Sequence, residues 1–154
     1  MFTVEIRQEP FRRLAAVAHS GPYPKISHAF ERLGTILQSR DLYGKVGNLF
    51  GVYHDDPTAT APVDLRSHAG VMVPDDITIT PPLELITLPA GRHAVLTYKG
   101  PYSGLPAAYD YLHGTWLAGA GAMPADSAVF EIYLNNPMTT APGDLLTEIC
   151  LPLR

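Results

Sequence analysis

The residues best placed for chemistry lie near the C-terminus, in Phe130-Glu131-Ile132-Tyr133 and Thr147-Glu148-Ile149-Cys150. Both segments have the period of two that marks a β-strand, on which alternate residues share a face. Glu131 and Tyr133 then look one way, and Phe130, Ile132 and Leu134 the other. In the next strand Glu148 and Cys150 share a face, opposite Thr147, Ile149 and Leu151. Paired as a hairpin, with the apolar sets packed under a helix, the strands present Glu131, Tyr133 and Glu148 together. A buried acid without a partner is costly, so an apolar cation gains by neutralising it. On a sheet open to water the same residues would simply face solvent.

Other reactive residue types carry weaker signals. His54-Asp55-Asp56 alternates faces, and its setting before a proline is turn chemistry, not a metal site. The six histidines, His19, His28, His54, His68, His93 and His113, form no HxxxH or HExxH pattern. Gly119-Ala120-Gly121-Ala122 reads as a helix stop, no G-x-S-x-G is present, and Cys150 reads as a packing residue. No cofactor and no metal are expected.

The elements that position these residues follow from a repeat. Gly21-Pro22-Tyr23 recurs as Gly100-Pro101-Tyr102, and a shift of 79 also matches Glu5 with Glu84, Pro10 with Pro89, Arg13 with Arg92 and Ala15 with Ala94. Further on, a shift of 80 aligns Phe50-Gly51-Val52-Tyr53 with Phe130-Glu131-Ile132-Tyr133. The same shift sets Asp55-Asp56-Pro57 against Asn135-Asn136-Pro137. The chain is two tandem copies, about residues 3–75 and 83–153, read as one domain over 1–154. After the first GPY, Ile26, Phe30, Leu33 and Leu37 form a helical stripe, and Leu105, Tyr109, Leu112 and Trp116 repeat it. Ser103 is the expected N-cap of the second helix, and Gly119 or Gly121 its stop. Strands are expected over 4–6, 14–19, 49–53 and 67–73, and again over 83–88, 93–98, 128–134 and 146–151. The fold class is α+β, a duplicated β-α-β-β unit in which neither half of about 75 residues is stable alone.

The copies differ where the candidate chemistry lies. Glu131 matches Gly51. With a two-residue slip marked by Pro74 and Pro152, Glu148 matches Gly70. Two carboxylates in one half then answer two glycines in the other. Symmetric packing gives no reason for that; a ligand with a cationic or hydrogen-bonding end does.

Composition limits the partners. The 154 residues are 46% hydrophobic and 17% charged, with a net charge of −4, so a real core is available and disorder is excluded. The clustered basic excess of a nucleic-acid binder is missing. No uncharged apolar run approaches the ~20 residues that span a bilayer. One cysteine and a charged N-terminal segment point to a cytoplasmic protein without a signal peptide.

Several segments carry a resemblance: VEIRQEPFRRLAAVAHSGPY, FGVYHDDPTATAPVDLR, AGRHAVLTYKGPY and FEIYLNNPMTTAPGDLLTEICLPL. Over about 4–153 the chain resembles the GyrI-like small-molecule-binding family, which includes DNA gyrase inhibitor proteins and effector-binding domains of AraC-type and MerR-type regulators. The resemblance implies two pseudo-twofold-related halves with antiparallel sheets and a ligand cleft between them. No preceding DNA-binding segment is expected, since the repeats use the whole chain. It further implies capture of flat, cationic, lipophilic compounds by a carboxylate among aromatic rings, with Glu131 at the matching position. The candidate rings are Tyr23, Tyr53, Tyr102, Tyr109, Tyr111, Trp116 and Tyr133, whose faces attract cations by ~0.5–2 kcal/mol. Trp116 and Tyr109 also sit on the helix stripe, where they would pack as core, and the GPY tyrosines also suit a turn. Two alternatives come with the family: hydrolysis of electrophilic small molecules, with Glu131 as base beside Tyr133 or Tyr102, and inhibition of DNA gyrase.

Overall fold

The computed structural model describes residues 2–154. In chain order the elements are β1 (Thr3–Glu9), β2 (Arg12–Ser20), α1 (Ser27–Ser39), β3 (Leu49–Tyr53), β4 (Arg66–Met72) and β5 (Glu84–Leu88). They continue with β6 (Gly91–Lys99), α2 (Leu105–Asp110), α3 (Leu117–Ala120), β7 (Val129–Tyr133) and β8 (Leu146–Pro152). The architecture is α+β with antiparallel pairing throughout the described ladders.

The compact units do not coincide with the sequence repeats. One unit is Phe11–Pro89; the other joins Ala90–Arg154 to the segment ending at Pro10. Each takes its outer strand from the other copy. In the first unit the strand order is β5-β2-β4-β3, and in the second β1-β6-β8-β7. The dependence of one copy on the other is therefore a matter of backbone hydrogen bonds as well as buried area.

In the first unit α1 buries Ala29, Leu33 and Leu37 against Ala15, Val17, Ala69 and Val71, with Ile26 beside them and Phe30 at the margin. Small residues on both surfaces let the helix approach the sheet closely. In the second unit the corresponding core holds Ala94, Leu96, Tyr98, Ala108, Leu112, Ile149 and Leu151. Leu105, Tyr109 and Trp116 are only half-buried there. At Trp116 the reason is a wide π-helical segment, Tyr111–Trp116, between α2 and α3, which turns the stripe away from its α-helical course, while Tyr109 lies at the margin as its counterpart Phe30 does in α1. The repeat shift changes from 79 to 80 between Tyr102 and Phe130, and one inserted residue is what a π turn accommodates.

Ser103 does not cap α2. It lies inside a 3-10 turn, Tyr102–Gly104, so Gly104 occupies the capping position, with no side-chain hydrogen bond to the helix end. Gly121 ends α3 at φ +63°, where a side chain would be strained. Among the described residues no helix is long and apolar enough to cross a membrane.

Candidate functional site

The two GPY segments set the entry to each helix. Gly21 and Gly100 adopt φ of +112° and +144°, and their N–H groups donate to Leu65 and Leu145 carbonyls, both at 2.8 Å. Proline then starts a 3-10 turn, and the tyrosine follows. From this shared scaffold the two tyrosines diverge. The Tyr23 hydroxyl donates to the Asp55 carbonyl at 2.7 Å and accepts the Asp55 N–H at 3.0 Å, and its ring meets Tyr53 edge-on at 4.9 Å. Tyr102 forms no hydrogen bond among the described residues. Its ring lies 5.7 Å from that of Tyr133, and its hydroxyl pKa is raised by burial and by the negative charge of Glu131.

Glu131 is the centre of this cluster. It is 4% exposed, on β7 opposite Ile149. Tyr109 of α2 donates to Glu131 Oε2 at 2.5 Å, and Tyr133 donates to Oε1 at 2.7 Å. Each carboxylate oxygen thus accepts a hydrogen bond from a phenol. Thr147, opposite Tyr133, is fully buried with its hydroxyl unpartnered among the described residues, but so is its counterpart Ser67. That feature belongs to the fold, not to the site.

Glu148 does not join Glu131, in contrast to the expectation from alternation. Residues opposed in a ladder share a face. Glu131 is opposite Ile149, on the helix side, whereas Glu148 is opposite Ile132, on the other. The apolar set of β7, Phe130 and Ile132, lies away from the helix and is buried nonetheless. Alternation could not tell the faces apart because both are covered. Glu148 is bound by Arg7 of β1 at 2.7 Å, and Arg7 also reaches Glu5.

The slip between Pro74 and Pro152 is also corrected. The ladders superpose with a constant shift of 80: Phe50 faces Gly70 as Phe130 faces Cys150, and Val52 faces His68 as Ile132 faces Glu148. Glu148 therefore answers His68, not Gly70, while Glu131 still answers Gly51. His68 joins a chain that spacing did not reveal, with His54 Nε2 at 2.8 Å from its Nδ1 and Glu84 Oε2 at 3.2 Å from its Nε2.

Tyr23 and Tyr53 belong to the unit Phe11–Pro89, whereas Glu131 belongs to the other. Trp116 packs against the core under α2, and Tyr111 meets Phe2 at 5.5 Å. Among the described residues no three metal-ligating side chains converge.

The duplicated α+β unit is the architecture of a class of small-molecule-binding domains. The model of the GyrI-like small-molecule-binding domain matches residues 2–154, and the chain belongs to that family. It is 27% identical to a DNA gyrase inhibitor of Yersinia enterocolitica over 136 residues, 85% of each chain. A DNA gyrase inhibitor of Serratia proteamaculans is 28% identical over 139 residues, 87% of this chain and 88% of that one. Among solved structures, the C-terminal domain of EcmrR matches with a TM-score of 0.79 at 17% identity, covering 100% of this chain and 98% of that one. SAV2435 bound to tetraphenylphosphonium matches at 0.73 and 15%, covering 99% and 94%. A hydrolase of Listeria innocua matches at 0.72 and 16%, covering 98% and 91%. At these identities the structural matches establish the fold.

Proposed function

We propose that this small-molecule-binding domain captures amphipathic aromatic cations at Glu131, with Tyr109, Tyr133 and Tyr102 around the ligand. The observation that carries the reading is the buried carboxylate with a phenol on each oxygen. A cation brought to this group meets an ionised acceptor in a low-dielectric setting, and tyrosine faces add ~0.5–2 kcal/mol. The helix over the carboxylate is the one interrupted by a π segment, whereas α1 is regular throughout. The tetraphenylphosphonium bound by SAV2435 is a ligand of the same chemical class on the same fold. A cytoplasmic setting fits the single, buried Cys150.

Calorimetric titration with tetraphenylphosphonium, against neutral triphenylphosphine oxide, tests this. Glu131→Gln is expected to weaken the cation at least about tenfold, or ~1.4 kcal/mol, and to leave the neutral compound unchanged. Equal affinity of the cation for both proteins overturns the assignment, provided near-UV dichroism shows both folded.

A second reading is favoured by the Tyr102 hydroxyl, which stands beside Glu131 without a hydrogen-bond partner among the described residues. Here Glu131 removes a proton from water, the oxygen adds to an electrophilic carbon, and Tyr102 returns a proton to the leaving atom. Time-dependent loss of an epoxide or similar electrophile, abolished in Glu131→Gln and Tyr102→Phe, would establish it. The names of the Yersinia and Serratia relatives give a third role, inhibition of DNA gyrase, which a supercoiling assay decides.

A further inference from the structure

The two units close the outer edge of their long strand differently. On β6 the ladder with β1 runs to Thr3, opposite Thr97. Phe2 lies just beyond, its ring 6.3 Å from Tyr98 and 5.5 Å from Tyr111. On β2 the ladder with β5 stops at Glu84, opposite Ala16. Continued two residues, its register sets Ala18 opposite Pro82, which has no N–H to donate. The Ala18 carbonyl accepts instead from Arg32 Nη2 of α1, at 2.8 Å. The repeat shift of 79 makes these positions equivalent: Pro81-Pro82 stand for Phe2-Thr3, His19 for Tyr98, and Arg32 for Tyr111.

A groove of about 600 Å³ follows this unfinished edge. Val17, Ala18, Ile36 and Pro82 line it, and Glu31 and Glu84 stand with Arg32 at its borders. Its volume is within the usual range for ligand sites, ~300–1,000 Å³. It shares no residue with the Glu131 cluster.

We infer that the groove docks a short extended peptide ending in an aromatic residue and one further residue. The N–H of that last residue bonds the Ala18 carbonyl, and the aromatic ring lies over Arg32. The second unit shows the fit in its own chain, since Thr3 and Phe2 fill the equivalent place. An open strand edge is a template for added backbone, and a guanidinium stacks well on an aromatic face. Glu31 on the groove wall favours a basic residue in the peptide, whereas Glu84 is engaged by His68. β5 begins at Glu84 and closes the groove beyond Ala18, so the peptide's C-terminal end lies there and its earlier residues lie toward Ser20.

Fluorescence anisotropy with labelled Gly-Lys-Lys-Phe-Thr amide tests the inference on the full chain. Saturable binding is expected, weakened at least about tenfold when the peptide Phe becomes Ala, or when Ile36→Asp charges the groove wall. The double change Pro81→Phe and Pro82→Thr, which gives the first unit the residues of the second, is expected to abolish binding. Near-UV dichroism of each variant separates loss of the groove from loss of the fold. Absence of binding to the folded wild type overturns the proposal. So does binding unaffected by Ile36→Asp, or phenethylamine alone binding as tightly as the peptide, which would mark a small-amine site.

Discussion

The Tyr109 hydroxyl reaches from α2 to β7 and donates to Glu131 Oε2 at 2.5 Å, tying the second helix to the strand beneath it. Tyr109→Phe removes a hydrogen bond to a buried carboxyl group, strongest if that group is ionised. A loss of about 1.5–3 kcal/mol in stability is expected, read from the urea midpoint. A change within error would mean that the carboxylate is not ionised in the folded protein or that another donor replaces the phenol.

Gly104 lies against Tyr98, whose hydroxyl donates to the Pro101 carbonyl at 2.7 Å. A Cβ built on Gly104 would overlap that hydroxyl, although the backbone φ of −89° suits any residue. Gly104→Ala is therefore expected to cost about 1–3 kcal/mol through overpacking. Combining it with Tyr98→Phe should recover part of that cost in a double-mutant cycle, and strict additivity would contradict the contact.

The His54 imidazole is held below the ordinary histidine pKa of 6.5 by burial, and further by positive charge on His68 and Arg66. As pH falls, the unfolded chain takes up the His54 proton before the folded one does. Its contribution to stability is full above about pH 6.5 and declines below that until the folded-state pKa is reached. Melting temperatures between about pH 7.5 and 5.5 should drop toward acid, and His54→Asn should flatten the drop. An unchanged slope in the variant would assign it to other groups.

Arg7 and Glu148 form a part-buried ion pair at 2.7 Å on the face of β8 away from α2. Arg7→Met leaves the Glu148 carboxylate short of its partner and is expected to cost about 1–2 kcal/mol, between the surface and buried limits. Glu148→Gln should leave tetraphenylphosphonium affinity within about twofold of wild type, unlike Glu131→Gln. Equal losses in the two variants would return Glu148 to the ligand site.

Much of the fold is legible in the residues. GPY occurs twice because each helix entry needs a glycine at positive φ followed by a proline that starts the turn. The stripe of Leu33 and Leu37 in α1 follows the α-helical period and packs as that period requires. The second stripe fails at Trp116 because the π segment changes the period, and only the step from 79 to 80 in the repeat hints at it. The exchange of β1 and β5 between units left no local signal, since either strand alternates equally well beside any partner. Arg7 with Glu148, and His54 with His68 and Glu84, meet across ladders that no sequence spacing encodes.

The sequence by itself determined the duplication, the element order and the fact that Glu131 and Tyr133 share a face, because these depend on local periods and repeated turns. Only the tertiary structure decided which face that is. A strand period of two sorts residues into two sets without naming either one, and on β7 both sets are buried. The ladder opposite Ile149 put Glu131 under Tyr109, and the same ladder turned Glu148 to Arg7.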